Sequence, residues 1–405
     1  MSNSSFDLTA ALADVRQATD CLKAETPNSV ALAVIGETIR QRQDDILEAN
    51  TLDLEVSRDM ALPELVVSWL KLTPERVQTI ADIFHRLAAM GSAFPLPEGG
   101  TGTDGYYRAI PVGIVGFVHE AFPDLRAIAA GLCLRTGNAL VLKGGSEASQ
   151  TNEIISEILR SGLTEAGLPE KLVFSLDATD VSRTEMSQCP EIDLLIPHGR
   201  PSLVAKVVEE ARVPVIPSRM GNCYLYWSAS GTLDTVFRMI LESHKGTPDA
   251  VNRIEKILMH ESHSENTVTR LWTRLQEEGF ELKADGAIAQ SYSLETAELL
   301  DWGSAYLRKT LAFRQVKDCE EAMRWINTHS SGHADSIATE DYTESRRFMA
   351  GCASARVYIN RTPQFVRNAR QTGEIAIGVS DRKGVAGGLI GMAVMREHQR
   401  ILHGS

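Results

Sequence analysis

Val112-Gly-Ile-Val-Gly-Phe-Val118 and Ala139-Leu-Val-Leu142 are short apolar runs, and the second opens directly into Lys143-Gly144-Gly145-Ser146-Glu147. Runs of this length, bounded by glycine and charged residues, read as strands. The pattern continues through Leu172-Val-Phe-Ser-Leu176, Ile192-Asp-Leu-Leu-Ile196 and Val213-Pro-Val-Ile216, with helical segments over residues 150–166 and 201–211 between them. Strands alternating with helices indicate a parallel α/β sheet. A second series starts near Asn222. It runs through Tyr224-Leu-Tyr-Trp227, a helix over 232–243, Ile257-Leu-Met259, a helix over 265–278 and Ala355-Arg-Val-Tyr-Ile359, before a glycine-rich tail. The expected architecture is two α/β domains in series.

The first ninety residues read as helices. Leu32, Ile35 and Ile39, and then Val77, Ile80, Ile83, Phe84 and Leu87, recur at helical spacing. Thr73-Pro74-Glu75 supplies an N-cap, a first-turn proline and an early acid, so a helix starts there. The break that follows contains Gly100-Thr-Gly102-Thr-Asp-Gly105, formally a G-x-G-x-x-G. A dinucleotide fingerprint must follow a strand and open a helix. This one follows a Pro-rich loop and precedes a strand-like run, Tyr106-Tyr-Arg-Ala-Ile-Pro111, so it reads as a hairpin or linker turn.

Composition bounds the function. The 405 residues are 43% hydrophobic, and Asp plus Glu outnumber Lys plus Arg by 53 to 41, a net charge of −12. That length favours two large domains. The acidic balance argues against general nucleic-acid or anionic-membrane binding, while leaving room for a local basic pocket. No apolar run is long enough to span a bilayer and no signal pattern opens the chain, so the expected location is cytoplasmic. The six cysteines (Cys21, Cys133, Cys189, Cys223, Cys319, Cys352) lie far apart, without Cys-x-x-Cys or histidine at ligand spacing. Neither a disulfide framework nor a metal site is expected.

Ligands of open parallel sheets gather at the carboxyl ends of the strands, and four such loops carry chemistry. Lys143 with Gly144, Gly145 and Ser146 can meet a ribose or phosphate, or form a plain turn under a snorkelling lysine. His198-Gly199-Arg200-Pro201-Ser202 leads into a helix whose bare N–H groups can face an anion, or is an ordinary helix start. Glu120 and Asp124 can act as an acid–base pair, or as solvated loop acids with Asp124 capping a helix. The polar loop from Ser243 to Asn252, with His244 and Lys245, has no reading of its own.

Together these stretches resemble the glutamate-5-semialdehyde dehydrogenase (γ-glutamyl phosphate reductase) branch of the aldehyde dehydrogenase superfamily. The likeness runs from about Gln41 to Ile359. It is carried by Leu72-Thr-Pro-Glu-Arg76, Ile110-Pro-Val-Gly-Ile-Val-Gly116, Leu132-Cys-Leu-Arg-Thr-Gly-Asn138, Leu142-Lys-Gly-Gly145, Ala166-Gly-Leu-Pro169, Ile192 to Pro197, Val213-Pro-Val-Ile216, Gly221-Asn-Cys223 and Val357-Tyr-Ile-Asn360. The resemblance implies a Rossmann-like cofactor domain over 1–228, with a hairpin over 94–112 contributing to oligomerisation. It implies an α/β catalytic domain over 229–362 and a return and oligomerisation tail over 363–405. It further implies NADP or NAD as cofactor and reduction of γ-glutamyl phosphate, through a cysteine thioester, in proline biosynthesis. Lys143 and Gly144 to Ser146 would then face the cofactor's ribose side, and Gly199, Arg200 and Ser202 would lie near its pyrophosphate. The implied partners are a small acyl phosphate or aldehyde and further copies of the chain, with an amino-acid kinase as a possible associate.

Five departures cluster at the implied active cleft. The family's P-[ST]-x-C-N-x-x-E-x-L-L-V becomes Pro248-Asp-Ala-Val251-Asn252-Arg-Ile-Glu255-Lys-Ile-Leu258-Met259, with no gap, so Val251 occupies the nucleophile's position. Arg-Pro-Asn becomes Phe122-Pro123-Asp124, a glycine becomes Arg200, a histidine becomes Tyr224, and the tail motif becomes Arg382-Lys-Gly-Val-Ala386. Cys223 reads as a small buried apolar residue rather than a replacement nucleophile. Lys245 matches a family lysine and is an anion-binding candidate; His244 and Asp124 are the acid–base candidates. Three functions stay open: a reductase without a thioester, a repurposed enzyme passing an activated acyl group or aldehyde to another nucleophile, and a non-catalytic partner of an amino-acid kinase.

Overall fold

The computed structural model describes residues 6–23, 25–91, 105–176, 181–246, 250–370, 373–381 and 388–402. The chain divides into two units: 1–218 with 367–377 and 390–405, and 219–366 with 378–389. The N-terminal stretch of the first unit thus stops at Ser218 rather than at 228. The reason is the run Cys223–Trp227, which is hydrogen-bonded into the second unit's sheet. Nor does the tail after 362 form a unit of its own; it is divided between the two.

In the first unit, β1 (Tyr106–Pro111) pairs antiparallel with the C-terminal strand Arg396–Ile401 in a two-stranded ribbon. Residues 94–104, which carry most of the expected hairpin and of the Gly-x-Gly run, lie outside the described residues. Four strands, β2 (Ile114–His119), β3 (Ala139–Lys143), β4 (Val173–Ser175) and β5 (Leu194–His198), form a parallel sheet in the order β4-β3-β2-β5. β2 and β3 are buried at every residue, as a sheet covered on both faces requires. Val213-Pro-Val-Ile216 is not a full strand. It joins β5 through the single bridge Val215 to Leu195, because Pro214 brings no N–H to a ladder. The helix Pro123–Arg135 after β2 is buried along its whole length, so its two arginines are turned onto internal partners. Arg135 donates to Met90 O (2.9 Å), and Arg126 to the Ser156 and Ser175 hydroxyls (2.7 and 2.9 Å).

The second unit is built on seven parallel strands in the order β12-β11-β6-β7-β10-β8-β9. These are β6 (Cys223–Trp227), β7 (Ile254–His260), β8 (Glu281–Ala284), β9 (Glu295–Thr296), β10 (Thr310–Val316), β11 (Ala334–Ala338) and β12 (Arg356–Ile359). One face packs Val236, Met239, Ile240, Leu271, Trp272 and Phe313; the other packs Tyr224, Tyr226, Trp302, Ile326 and Phe348. Among the described residues no helix is long and apolar enough to cross a membrane.

Candidate active site

The chain runs β2, β3, β4 outward to one edge and then returns to place β5 on the other side of β2. The carboxyl ends of β2 and β5 therefore flank the sheet's topological switch point, where open α/β sheets leave a ligand crevice. Glu120 follows β2 there, and Gly199 and Arg200 follow β5. The Glu120 carboxylate accepts from Arg200 Nη2 (2.6 Å), Nε (2.9 Å) and backbone N–H (3.1 Å), a forked ion pair across the crevice. Burial alone would raise the Glu120 pKa, but the Arg200 bonds outweigh it and hold the carboxyl below its ordinary range. Gly199 makes the approach possible: its φ is +149°, and a Cβ there would stand 2.9 Å from that of Glu120. Arg200 is the N-cap of the helix Pro201–Glu210 but offers no side-chain cap; Ser202 lies exposed in the first turn.

Asp124 does not share this crevice chemistry with Glu120. Its carboxylate is buried against Arg76 Nη2 at 2.6 Å, so the two acids answer to separate arginines and form no acid–base pair with each other. The turn between them is tight: Ala121 and Phe122 both take left-handed backbone, φ 51° and 47°. Glu147 fixes it by accepting the Ala121 N–H at 2.6 Å. Phe122 is fully buried, stacked on Trp69 at 4.7 Å and edge-on to His198 at 5.0 Å.

At the end of β3, Lys143 is buried, and Gly144, Gly145 and Ser146 line a cavity of about 120 Å³ with Arg126, Asn152 and Ser175. Two buried polar atoms beside it, His119 Nε2 and Asn152 Oδ1, have no partner among the described residues. A Cβ on Gly144 would meet Asn152, Arg126 and His119 within 2.5–3.1 Å. Burial, aided by Arg126, pushes the His119 pKa down to about 3, so its ring is neutral, with Nδ1 on Ala121 O at 2.8 Å. Orphaned polar atoms around a polar cavity fit a hydroxyl-bearing group such as a ribose. The sequence assigns no role to Arg76, His119 or Asn152: Arg76 meets Asp124 from 48 residues away, and Asn152 reaches the cavity from the helix after β3.

In the second unit Val251 is buried, and its carbonyl accepts from Gly221 N (3.0 Å) and faces His333 Nε2 (3.1 Å). The same His333 nitrogen lies 3.3 Å from Cys223 Sγ, and Nδ1 lies 2.9 Å from Ser331 Oγ. This is not an activated thiol. Burial, with Asp335 and Glu255 nearby, raises the Cys223 pKa well above the ordinary thiol value, and burial lowers His333 to about 4. Asn252 is buried, with Nδ2 3.4 Å from the Tyr358 hydroxyl and Oδ1 without a partner among the described residues. Glu255 anchors the region by accepting the N–H groups of Asn222, Tyr306 and Leu307 at 2.7–2.9 Å. His244 points inward: Nε2 meets Ile254 O at 2.7 Å, the ring packs edge-on to Phe280, and burial lowers its pKa to about 3. Lys245 is exposed. Pro248 and residues 382–386, two of the motif comparisons, lie outside the described residues.

No family model matches the chain. Individual relatives do. It is 41% identical over 388 residues to gamma-glutamyl phosphate reductase 2 of Synechocystis sp., covering 93% of this chain and 91% of that one. It is 32% identical to the gamma-glutamyl phosphate reductase of Gloeobacter violaceus, over all of this chain and 99% of that protein. The solved structure of gamma-glutamyl phosphate reductase from Thermotoga maritima superposes with a TM-score of 0.86 at 28% identity, covering 99% of both chains. An acetylating aldehyde dehydrogenase from Geobacillus thermoglucosidasius shares the fold, at TM-score 0.68 and 15% identity over 98% of this chain and 96% of that one. The chain belongs to the gamma-glutamyl phosphate reductase family, on an aldehyde-dehydrogenase-like fold.

Proposed function

We propose that this protein binds an acyl phosphate, or the corresponding semialdehyde, beside a nicotinamide dinucleotide, and that it does not work through a thioester. The reading of the substrate class rests on relatives whose names give gamma-glutamyl phosphate as the compound reduced. The reading against a thioester rests on the family resemblance, which puts Val251 at the nucleophile's place, and on the neighbouring thiol, Cys223, which is fully buried and held protonated by that burial. A valine side chain has no lone pair for covalent catalysis.

In this reading the dinucleotide lies at the switch crevice of the first unit, with Lys143, Gly144, Gly145 and Ser146 toward its ribose and Gly199, Arg200 and Ser202 toward its pyrophosphate. When bound, a nicotinamide would supply the hydride that reduces the acyl group to the aldehyde, with phosphate as the leaving group. Asn252 offers an amide beside Val251 to orient the carbonyl, and Lys245 offers a cation for the phosphate. His244 is not the proton donor, since its ring is neutral and bonded into the core. The ribbon of β1 and Arg396–Ile401, two-stranded and without a fully buried residue, supports an oligomerisation role, because an isolated pair of strands needs a further partner to be stable.

The test is titration of NADPH and NADH by nicotinamide fluorescence, with turnover of acyl phosphate followed in parallel, for wild type and Val251→Cys. Saturable binding by both is expected, with turnover rising roughly 10²-fold or more in Val251→Cys, the scale of one well-placed catalytic group. A covalent acyl adduct should be detectable by mass only in that variant. Acylation of the wild-type chain at Cys223 would overturn the reading, as would absence of dinucleotide binding in both proteins.

A further inference from the structure

We propose that the Glu120–Arg200 pair is an internal latch on the switch crevice: the Glu120 carboxylate holds the place of a ligand phosphate, and a phosphate-bearing dinucleotide binds by displacing it from Arg200. The proposal rests on the dinucleotide reading above and adds a determinant of affinity to it.

Three features carry it. The pair spans the two strand ends, after β2 and after β5, between which the sheet's topology leaves its ligand crevice. The donors that hold Glu120 are a guanidinium fork and the backbone N–H at the start of a ten-residue helix. That donor set recognises phosphate oxygens as well as it does carboxylate. The two side chains are also unequally held. Glu120 is 8% exposed and Arg200 44%, so the arginine is the member able to swing toward an incoming anion. While the latch is closed, a phosphate meets a carboxylate where it needs a cation, and like charges brought together oppose binding.

Glu120→Gln keeps the shape and removes the charge that holds Arg200. The prediction is tighter NADPH or NADH binding by roughly tenfold, the scale of one charge-assisted hydrogen bond, measured by nicotinamide fluorescence. In the double variant Glu120→Gln, Arg200→Ala the gain disappears, because the freed arginine is what receives the phosphate. Circular dichroism and thermal midpoints establish that both variants are folded before affinities are compared. Wild-type binding that Glu120→Gln leaves unchanged or weakens overturns the latch and leaves the dinucleotide reading standing. A gain that survives in the double variant assigns the effect to simple repulsion by the carboxylate, and that too overturns it. No binding by any of the three proteins removes the dinucleotide reading and the latch together.

Discussion

Asp124 and Arg76 show how much a single residue's role depends on a partner that the sequence does not announce. Asp124 follows a proline at the start of a helix, which fits both a helix cap and a catalytic acid. Its carboxylate is 8% exposed, Arg76 is 9% exposed, and 2.6 Å separates them. The geometry settles Asp124 as half of a buried ion pair. Removing one partner of such a pair leaves an uncompensated charge in a low-dielectric site. Arg76→Ala should therefore lower stability by about 3–5 kcal/mol, read from the denaturant midpoint. Replacing both, as Arg76→Met with Asp124→Leu, should recover most of that loss, because two apolar side chains need no partner. Were Asp124 a catalytic acid instead, Asp124→Asn would abolish turnover in a protein of nearly unchanged stability. Glu120 follows the same logic with Arg200, eighty residues away. Both acids were visible in the sequence as site candidates; which arginine each one meets was not, because strand order brings Arg200 to Glu120 and the packing of two helices brings Arg76 to Asp124.

At the scale of elements, much of the first sheet could be read from the sequence, since β2 and β3 are uninterrupted apolar runs that end in charged or glycine-bearing loops. Four strands of the second sheet, β8 to β11, are not legible in this way: β8 and β9 are short, and β10 and β11 carry Thr310, Asp335 and Ser336, buried polar residues that hide a strand's hydrophobic pattern. Asp335 is tolerable inside because it accepts from the Tyr224 N–H at 2.6 Å and the Ser330 hydroxyl at 2.6 Å. Helix ends hold a similar surprise. The helix Ser149–Glu165 follows Ala148, which has no side-chain oxygen with which to cap it. The cap comes from another helix: Asp53 accepts the N–H groups of Gln150 (3.0 Å) and Thr151 (2.8 Å) and the Thr151 hydroxyl (2.6 Å). Asp53→Ala should cost about 2 kcal/mol, the upper range for loss of an N-cap, whereas Asp44→Ala on the same helix should cost almost nothing. Thermal melts of the two variants, run side by side, decide it. An equal, small effect from both would mean that the cap carries no energy.

Across the whole molecule, both units bury neutral histidines, and this gives stability a definite pH dependence. Burial lowers the pKa of His119 to about 3 in the first unit, and of His244 and His333 to about 3 and about 4 in the second. Unfolded, each would titrate near 6.5. Between the two values the unfolded chain binds the extra proton, so protonation favours unfolding and stability falls as the pH drops below about 6.5. Each histidine contributes up to roughly 1.4 kcal/mol per pH unit in that window. Asp335 works in the opposite sense. Burial raises its pKa to about 6, so between its unfolded value and 6 it is the folded state that holds the extra proton. It therefore offsets about one of these three histidines below pH 6, and His263 and His329, whose pKa values burial also lowers, add to the loss. Midpoints measured from pH 7.5 down to 4.5 should be flat above 7 and then fall steeply. His119→Gln and His333→Gln should each flatten the acid limb, since a neutral amide has no proton to gain. An acid limb unchanged in both variants would place the loss on surface carboxylates instead. The two substitutions also report separately on the two units. A flattening seen with only one of them would identify the unit whose unfolding limits the molecule in acid.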